Sequence, residues 1–84
     1  MICIYKIFNP TNGELLYVSI TQDPFHRFTC HKYTKFKGVD FCMLVVGRYD
    51  NWQEAMAHEH TAIWSEQPKY NINNKKVASF RVKN

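Results

Sequence analysis

Apolar and polar positions alternate from the first residue. In residues 1–8, Ile2 and Ile4 point one way while Cys3, Tyr5 and Ile7 point the other, which is strand periodicity. Residues 9–13 (Asn-Pro-Thr-Asn-Gly) carry turn chemistry: Pro10 fixes φ and Gly13 admits positive φ. Residues 14–20 alternate again, with Leu16, Val18 and Ile20 on one face and Leu15, Tyr17 and Ser19 on the other. The two segments therefore predict a hairpin. A two-residue Asn12-Gly13 turn would set Tyr5 and Tyr17 on opposite faces. An odd loop, or a bulge at Gly13, sets them together, and the second arrangement is the one expected.

The period then changes. Thr21 or Asp23 can cap a helix whose first turn takes Pro24, and the spacing predicts a helix over 24–33. Arg27 and His31 lie four apart on one face of it, and Phe25 and Phe28 are available to the core. Residues 32–38 are basic and interleaved with aromatics. Residues 39–47 form an apolar, β-branched run that reads as a buried strand. Asp50 or Asn51 caps a second helix, and Glu54 completes a capping box with Asn51. Trp52, Met56, Glu59 and Ile63 make its expected inner stripe, and the helix stops near Pro68. Residues 70–73 suggest a short extended segment, followed by a basic tail with Lys75, Lys76, Arg81 and Lys83.

The order β-β-α-β-α predicts an α/β domain of the α+β type. Its small three-stranded sheet, mixed or antiparallel, is flanked by helices. At 84 residues the chain is a single domain over 1–84. A domain of this size buries about 60% of its unfolded surface, enough to fold alone. With 45% apolar residues it is not a disordered chain. A net charge of +4 favours anionic partners. Three cysteines without a C-x-x-C pair read as thiols in a reducing compartment. No leader or membrane-length apolar run is evident, so a soluble, cytoplasmic protein without membrane contact is expected.

Several residues carry candidate chemistry. Glu59 is an acid on an apolar stripe, and burying it unpaired would cost several kcal/mol. It calls for a salt bridge to Arg27, a hydrogen-bond network, or a metal; a lone carboxylate suits Mg²⁺ or Mn²⁺ completed by phosphate oxygens and water. Arg27 can fork onto a phosphate, or simply belong to a solvated helix face. Tyr5 and Tyr17 are ordinary strand residues, or phenols that position a water. Lys32, Lys35 and Lys37 around Tyr33 and Phe36 describe a nucleic-acid-contacting loop, or a solvated loop whose aromatics return to the core. His58 and His60 flank Glu59, but their spacing is wrong for the zinc motif H-E-x-x-H.

Taken in order, these residues resemble the GIY-YIG nucleases. Cys3-Ile4-Tyr5 and Tyr17-Val18-Ser19 resemble the family's two signature tripeptides. The stretch from Tyr17 through Arg27 to His31 resembles its second strand, turn and arginine-histidine helix without a gap. Residues 55–63 resemble its glutamate helix, and Pro68-Lys69-Tyr70-Asn71 its closing P-x-Y-N element. The resemblance covers nearly the whole chain and six polar positions.

It implies a divalent-metal-dependent endonuclease that hydrolyses DNA phosphodiester bonds; an RNA-directed nuclease or binder is a separate option that charge and motif leave open. Tyr5, Tyr17, Arg27, His31, Glu59 and Asn71 would form the catalytic set. Glu59 would hold Mg²⁺ or Mn²⁺, and Arg27 would stabilise the transition state. Tyr5, Tyr17 and His31 would activate or orient water, with Tyr5 the first candidate. Asn71 would position Glu59 or a backbone segment. The family often carries a separate specificity domain. Specificity here would come from substrate structure, a homodimer or a protein partner, and a stand-alone module suits a phage or mobile element. Cys3 and Ser19 replace two signature glycines. The Ser19 hydroxymethyl group would narrow access to the site, so the alternative is a catalytically weakened fold that binds nucleic acid or inhibits a protein.

Overall fold

A computed structural model describes residues 1–71. The elements follow the expected order: β1 (Ile2–Phe8), β2 (Leu15–Thr21), α1 (Pro24–Tyr33), β3 (Cys42–Tyr49), α2 (Trp52–Glu66) and a closing 3₁₀ turn (Lys69–Asn71). The strands form one sheet in the order β2-β1-β3, and both pairings are antiparallel. The fold is thus α+β with a three-stranded antiparallel sheet. The expected extended segment over 70–73 is a 3₁₀ turn as far as Asn71; its remainder and the basic tail lie outside the described residues.

The hairpin solves the parity problem in an unexpected place. Its loop, residues 10–13, is even in length. Asn9 N–H donates to the Glu14 carbonyl at 2.9 Å, and Gly13 N–H to the Asn9 carbonyl at 2.8 Å. Gly13 sits at φ +74, which glycine adopts without a Cβ penalty. Phe8 pairs with Leu15, yet Ile7 pairs with Tyr17, so Leu16 is an extra residue. That bulge, rather than one at Gly13, brings Tyr5 and Tyr17 onto one face, as expected. Leu16 turns inward with Tyr17 and packs against Tyr5, Ile7 and Phe36.

The core has two halves. One side holds Tyr5, Ile7, Leu16 and Phe36, the other Ile4, Val18 and Ile63. Three expectations need correction. β3 begins at Cys42, because residues 34–39 form hydrogen-bonded turns that pass through Gly38 at φ +76, and it is an edge strand with no fully buried residue rather than a buried strand. The inner stripe of α2 is Ala55, Glu59, Ala62 and Ile63; Trp52 and Met56 are 44% and 45% exposed. Phe25 and Phe28 are not core residues either, and Phe25 is 88% exposed. Spacing marks an apolar stripe on each helix, whereas the sheet reaches only part of it.

The caps follow the sequence. Asp23 Oδ1 accepts from His26 N–H at 3.0 Å, and Thr21 Oγ1 holds Asp23 N–H at 3.1 Å. Asn51, not Asp50, caps α2, accepting from Glu54 N–H at 2.8 Å. Gln67 closes α2 at φ +51 and sends its side-chain amide to the Trp64 carbonyl, ahead of Pro68. No helix among the described residues is long and apolar enough to cross a membrane.

Candidate active site

The strand register builds the floor of the site. Tyr5 lies directly opposite Ser19, and Tyr17 is two residues away on the same face. α1 then delivers His31 over them. The Tyr5 hydroxyl meets His31 Nε2 at 2.7 Å. The Tyr17 ring stands edge-on to His31 at 5.2 Å and tilted to Tyr5 at 6.2 Å. Phe36, buried from the following loop, packs edge-on to both His31 and Tyr17. Of the two aromatics in that basic loop, Phe36 therefore returns to the core, while Tyr33 stays exposed.

Burial sets the proton positions. Tyr5 has 0% exposure and His31 5%. Burial, with Tyr17 adding to it, pushes the Tyr5 phenol well above its ordinary value. Burial also lowers His31 to about 4, helped by the Arg27 and Lys35 cations. Near neutral pH the histidine is thus uncharged, and its Nε2 and the Tyr5 hydroxyl share one hydrogen bond. Glu59 is half-buried, and burial raises its carboxyl above the ordinary range; His60 and Ser19 act in the opposite sense. Ser19, directly opposite Tyr5 in the sheet, likewise favours ionisation of Tyr5.

Five of the six expected residues form one electrostatic neighbourhood. Arg27 acts on both Tyr5 and His31, and Glu59 acts on Tyr5. No ion pair joins Arg27 to Glu59; the salt bridge among the described residues is Lys6 to Glu66. Asn71 stands apart and holds backbone. Its Oδ1 accepts from Val18 N–H at 3.0 Å, and its Nδ2 donates to the Val18 carbonyl at 3.2 Å. Of the two roles expected of Asn71, the backbone one is realised: it fixes β2 beside Tyr17.

Lys35, a loop residue by spacing, is also a member of the site. Its ammonium lies 4.8 Å over the Tyr17 ring. The signal was present, since Arg27, His31 and Lys35 repeat at intervals of four, but α1 ends at Tyr33 and the repeat outruns it. Lys32 and Lys37 line the adjoining depression of about 400 Å³ with Tyr33 and Phe41. The basic trio is therefore split between the site and its flank.

The donor set bears on a metal. Among the described residues no group of three or more His, Cys, Asp or Glu converges. Glu59 alone is a half-buried carboxylate whose charge is disfavoured. That fits a Mg²⁺ position completed by substrate phosphate oxygens and water, not a preformed protein cage. No protein-family model, curated protein or solved structure matches the chain.

Proposed function

We propose that the protein is a divalent-metal-dependent endonuclease acting on DNA phosphodiester bonds, of the GIY-YIG type. The observation that carries the reading is that Tyr5, bonded to His31 and opposite Ser19, stands within the electrostatic reach of Tyr17, Arg27 and Glu59. A cation bound at Glu59 would supply charge neutralisation at the scissile phosphate. Arg27, exposed on α1, reaches the phosphate and stabilises charge developing on it. Lys32 and Lys37 hold the flanking backbone of the nucleic acid.

The burial pattern divides the labour between the two tyrosines. The Tyr5 hydroxyl is enclosed and committed to His31, so in this arrangement it acts from behind and fixes the Tyr17 ring. Tyr17 is half-exposed and is the phenol that water can reach. Charge developing on its oxygen has the Lys35 ammonium nearby. Orientation of the attacking water is therefore assigned to Tyr17.

A second reading keeps the fold and drops the chemistry. Tyr5 and His31 have almost no exposed surface. That favours a module that binds nucleic acid through Arg27, Lys32 and Lys37 without cutting it. One experiment separates the two. Labelled duplex, branched and single-stranded DNA are incubated with Mg²⁺ or Mn²⁺, or with chelator, beside Glu59→Gln and Arg27→Ala. The nuclease reading expects metal-dependent cleavage that Arg27→Ala lowers by about 10²–10³-fold and Glu59→Gln removes. It also expects Mg²⁺ to raise the Tm of the wild type but not of Glu59→Gln. Salt-sensitive binding with no cleavage of any substrate selects the second reading.

A further inference from the structure

The sheet ends differently at its two outer strands. At β2, the Asn71 side chain occupies both the N–H and the carbonyl of Val18, in the manner of a neighbouring strand. At β3, the outer edge has no partner among the described residues. From Cys42 to Tyr49 this strand carries a single charge, Arg48. Leu44 and Val46 are 53% and 50% exposed. Beside Met43 and Val45 lies a groove of about 430 Å³, walled by Phe25 and Phe28 of α1. Unpaired edges are normally blunted by charged residues, proline, a bulge or a covering element; β3 has neither lysine nor proline, and its one charge, Arg48, and its bulge at Val46 leave residues 42–45 unguarded.

We propose that β3 is the interface of a two-fold homodimer, in which two copies join edge to edge as one six-stranded antiparallel sheet. The occupant is a second copy because the strand complements itself. A two-fold axis at Leu44 sets Leu44 against its own copy and Met43 against the partner's Val45. Continued two residues beyond Cys42, the same register brings Arg48 to the partner's Asp40. Both residues are exposed, and neither makes an ion pair among the described residues. Moving the axis to Val45 would instead set Asp40 against the partner's Asp50, a like-charge pair that disfavours this register. Val46 is bulged relative to β1, which turns Arg48 to the face of Met43 and Val45, where it lines the groove, and shifts its contact by one residue, within reach of its side chain.

The apolar surface on both sides of the strand is then covered. Leu44 meets Leu44 on one face, and on the other the partner's Met43 and Val45 extend the groove wall of Phe25 and Phe28. An antiparallel sheet of this kind has its two-fold axis normal to the sheet. The face bearing Tyr5 and Tyr17 is consequently on the same side in both copies, so two candidate sites address one surface.

Sedimentation equilibrium on the full chain tests the interface. The wild type is expected at twice the 10.0 kDa of one chain. Leu44→Lys, a substitution of an exposed residue, is expected at one chain's mass with an unchanged far-ultraviolet spectrum. Asp40→Arg and Arg48→Asp are each expected to raise the dimer Kd about tenfold, and the double variant to restore it. A wild type that stays at 10.0 kDa into the millimolar range overturns the proposal. So does a dimer that survives Leu44→Lys. Failure of the double variant to recover overturns the Leu44-centred register.

Discussion

The two helices are both capped and both accompany the same sheet, yet they are attached to it in different ways. α2 buries Ala55 and Ile63, and Ile63 joins Ile4 and Val18 in an aliphatic cluster. α1 buries one residue, His31. Its aromatic side chains, Phe25, Phe28 and Tyr33, remain largely or partly in solvent. One helix is thus held by apolar area. The other is held by a histidine that bonds to Tyr5 and packs among Tyr17 and Phe36. A helix attached mainly through polar and aromatic contacts is the weaker member of the fold, and it is the one that carries Arg27.

The largest expected stability effect tests the α2 side. Ile63→Ala should cost about 2–5 kcal/mol, read as a fall in the urea midpoint, because it opens a cavity among Ile4 and Val18. A cost below 1 kcal/mol would mean that α2 is not anchored by this cluster.

The next effect belongs to α1 and depends on pH. His31 is lowered to about 4 in the fold, whereas an unfolded histidine titrates near 6.5. Between those values the unfolded chain binds more protons, so stability falls as pH falls. The contribution is complete above about 6.5 and lost by about 4, and spans about 3 kcal/mol. Comparing the wild type with His31→Gln across this range checks it: the variant should lose that part of the slope. An unchanged slope would place the acid sensitivity elsewhere and remove the distinction between the helices.

The smallest effect is at the exposed end of α1. Tyr33→Ser should change stability by no more than about 0.5 kcal/mol, measured by the same unfolding curve. A larger loss would show that the exposed aromatic face of α1 contributes to the fold after all.

Much of the fold was legible along the chain. The order of elements, the Asp23 and Asn51 caps and the stop before Pro68 are local features, fixed within a few residues by hydrogen bonding and backbone restriction. The site was legible in part. Spacing put Arg27 and His31 on one helical face and marked Glu59 as an acid in an apolar stripe. It misplaced Trp52, Met56, Phe25 and Phe28, since periodicity shows that a face is apolar but not how much of it the sheet covers. Spacing gives no division between the phenols, and the resemblance puts Tyr5 first as the group that activates water, whereas the proposal here gives that water to Tyr17. Tyr5 and Tyr17 have the same residue type and the same strand context, and only their positions relative to α1 separate an enclosed hydroxyl from an accessible one.

By itself, then, the sequence determined the elements, their caps and the residues that carry charge and acid–base chemistry, because each depends on near neighbours. Tertiary structure decided which of those residues meet. The even loop of residues 10–13 would have left Tyr5 and Tyr17 on opposite faces, and the extra residue at Leu16 reverses that parity. The bulge is favoured only because Leu16 gains a place beside Tyr5, Ile7 and Phe36, a core assembled from three separate segments. No local signal around Leu16 specifies that core, and so the meeting of the two tyrosines was fixed by packing.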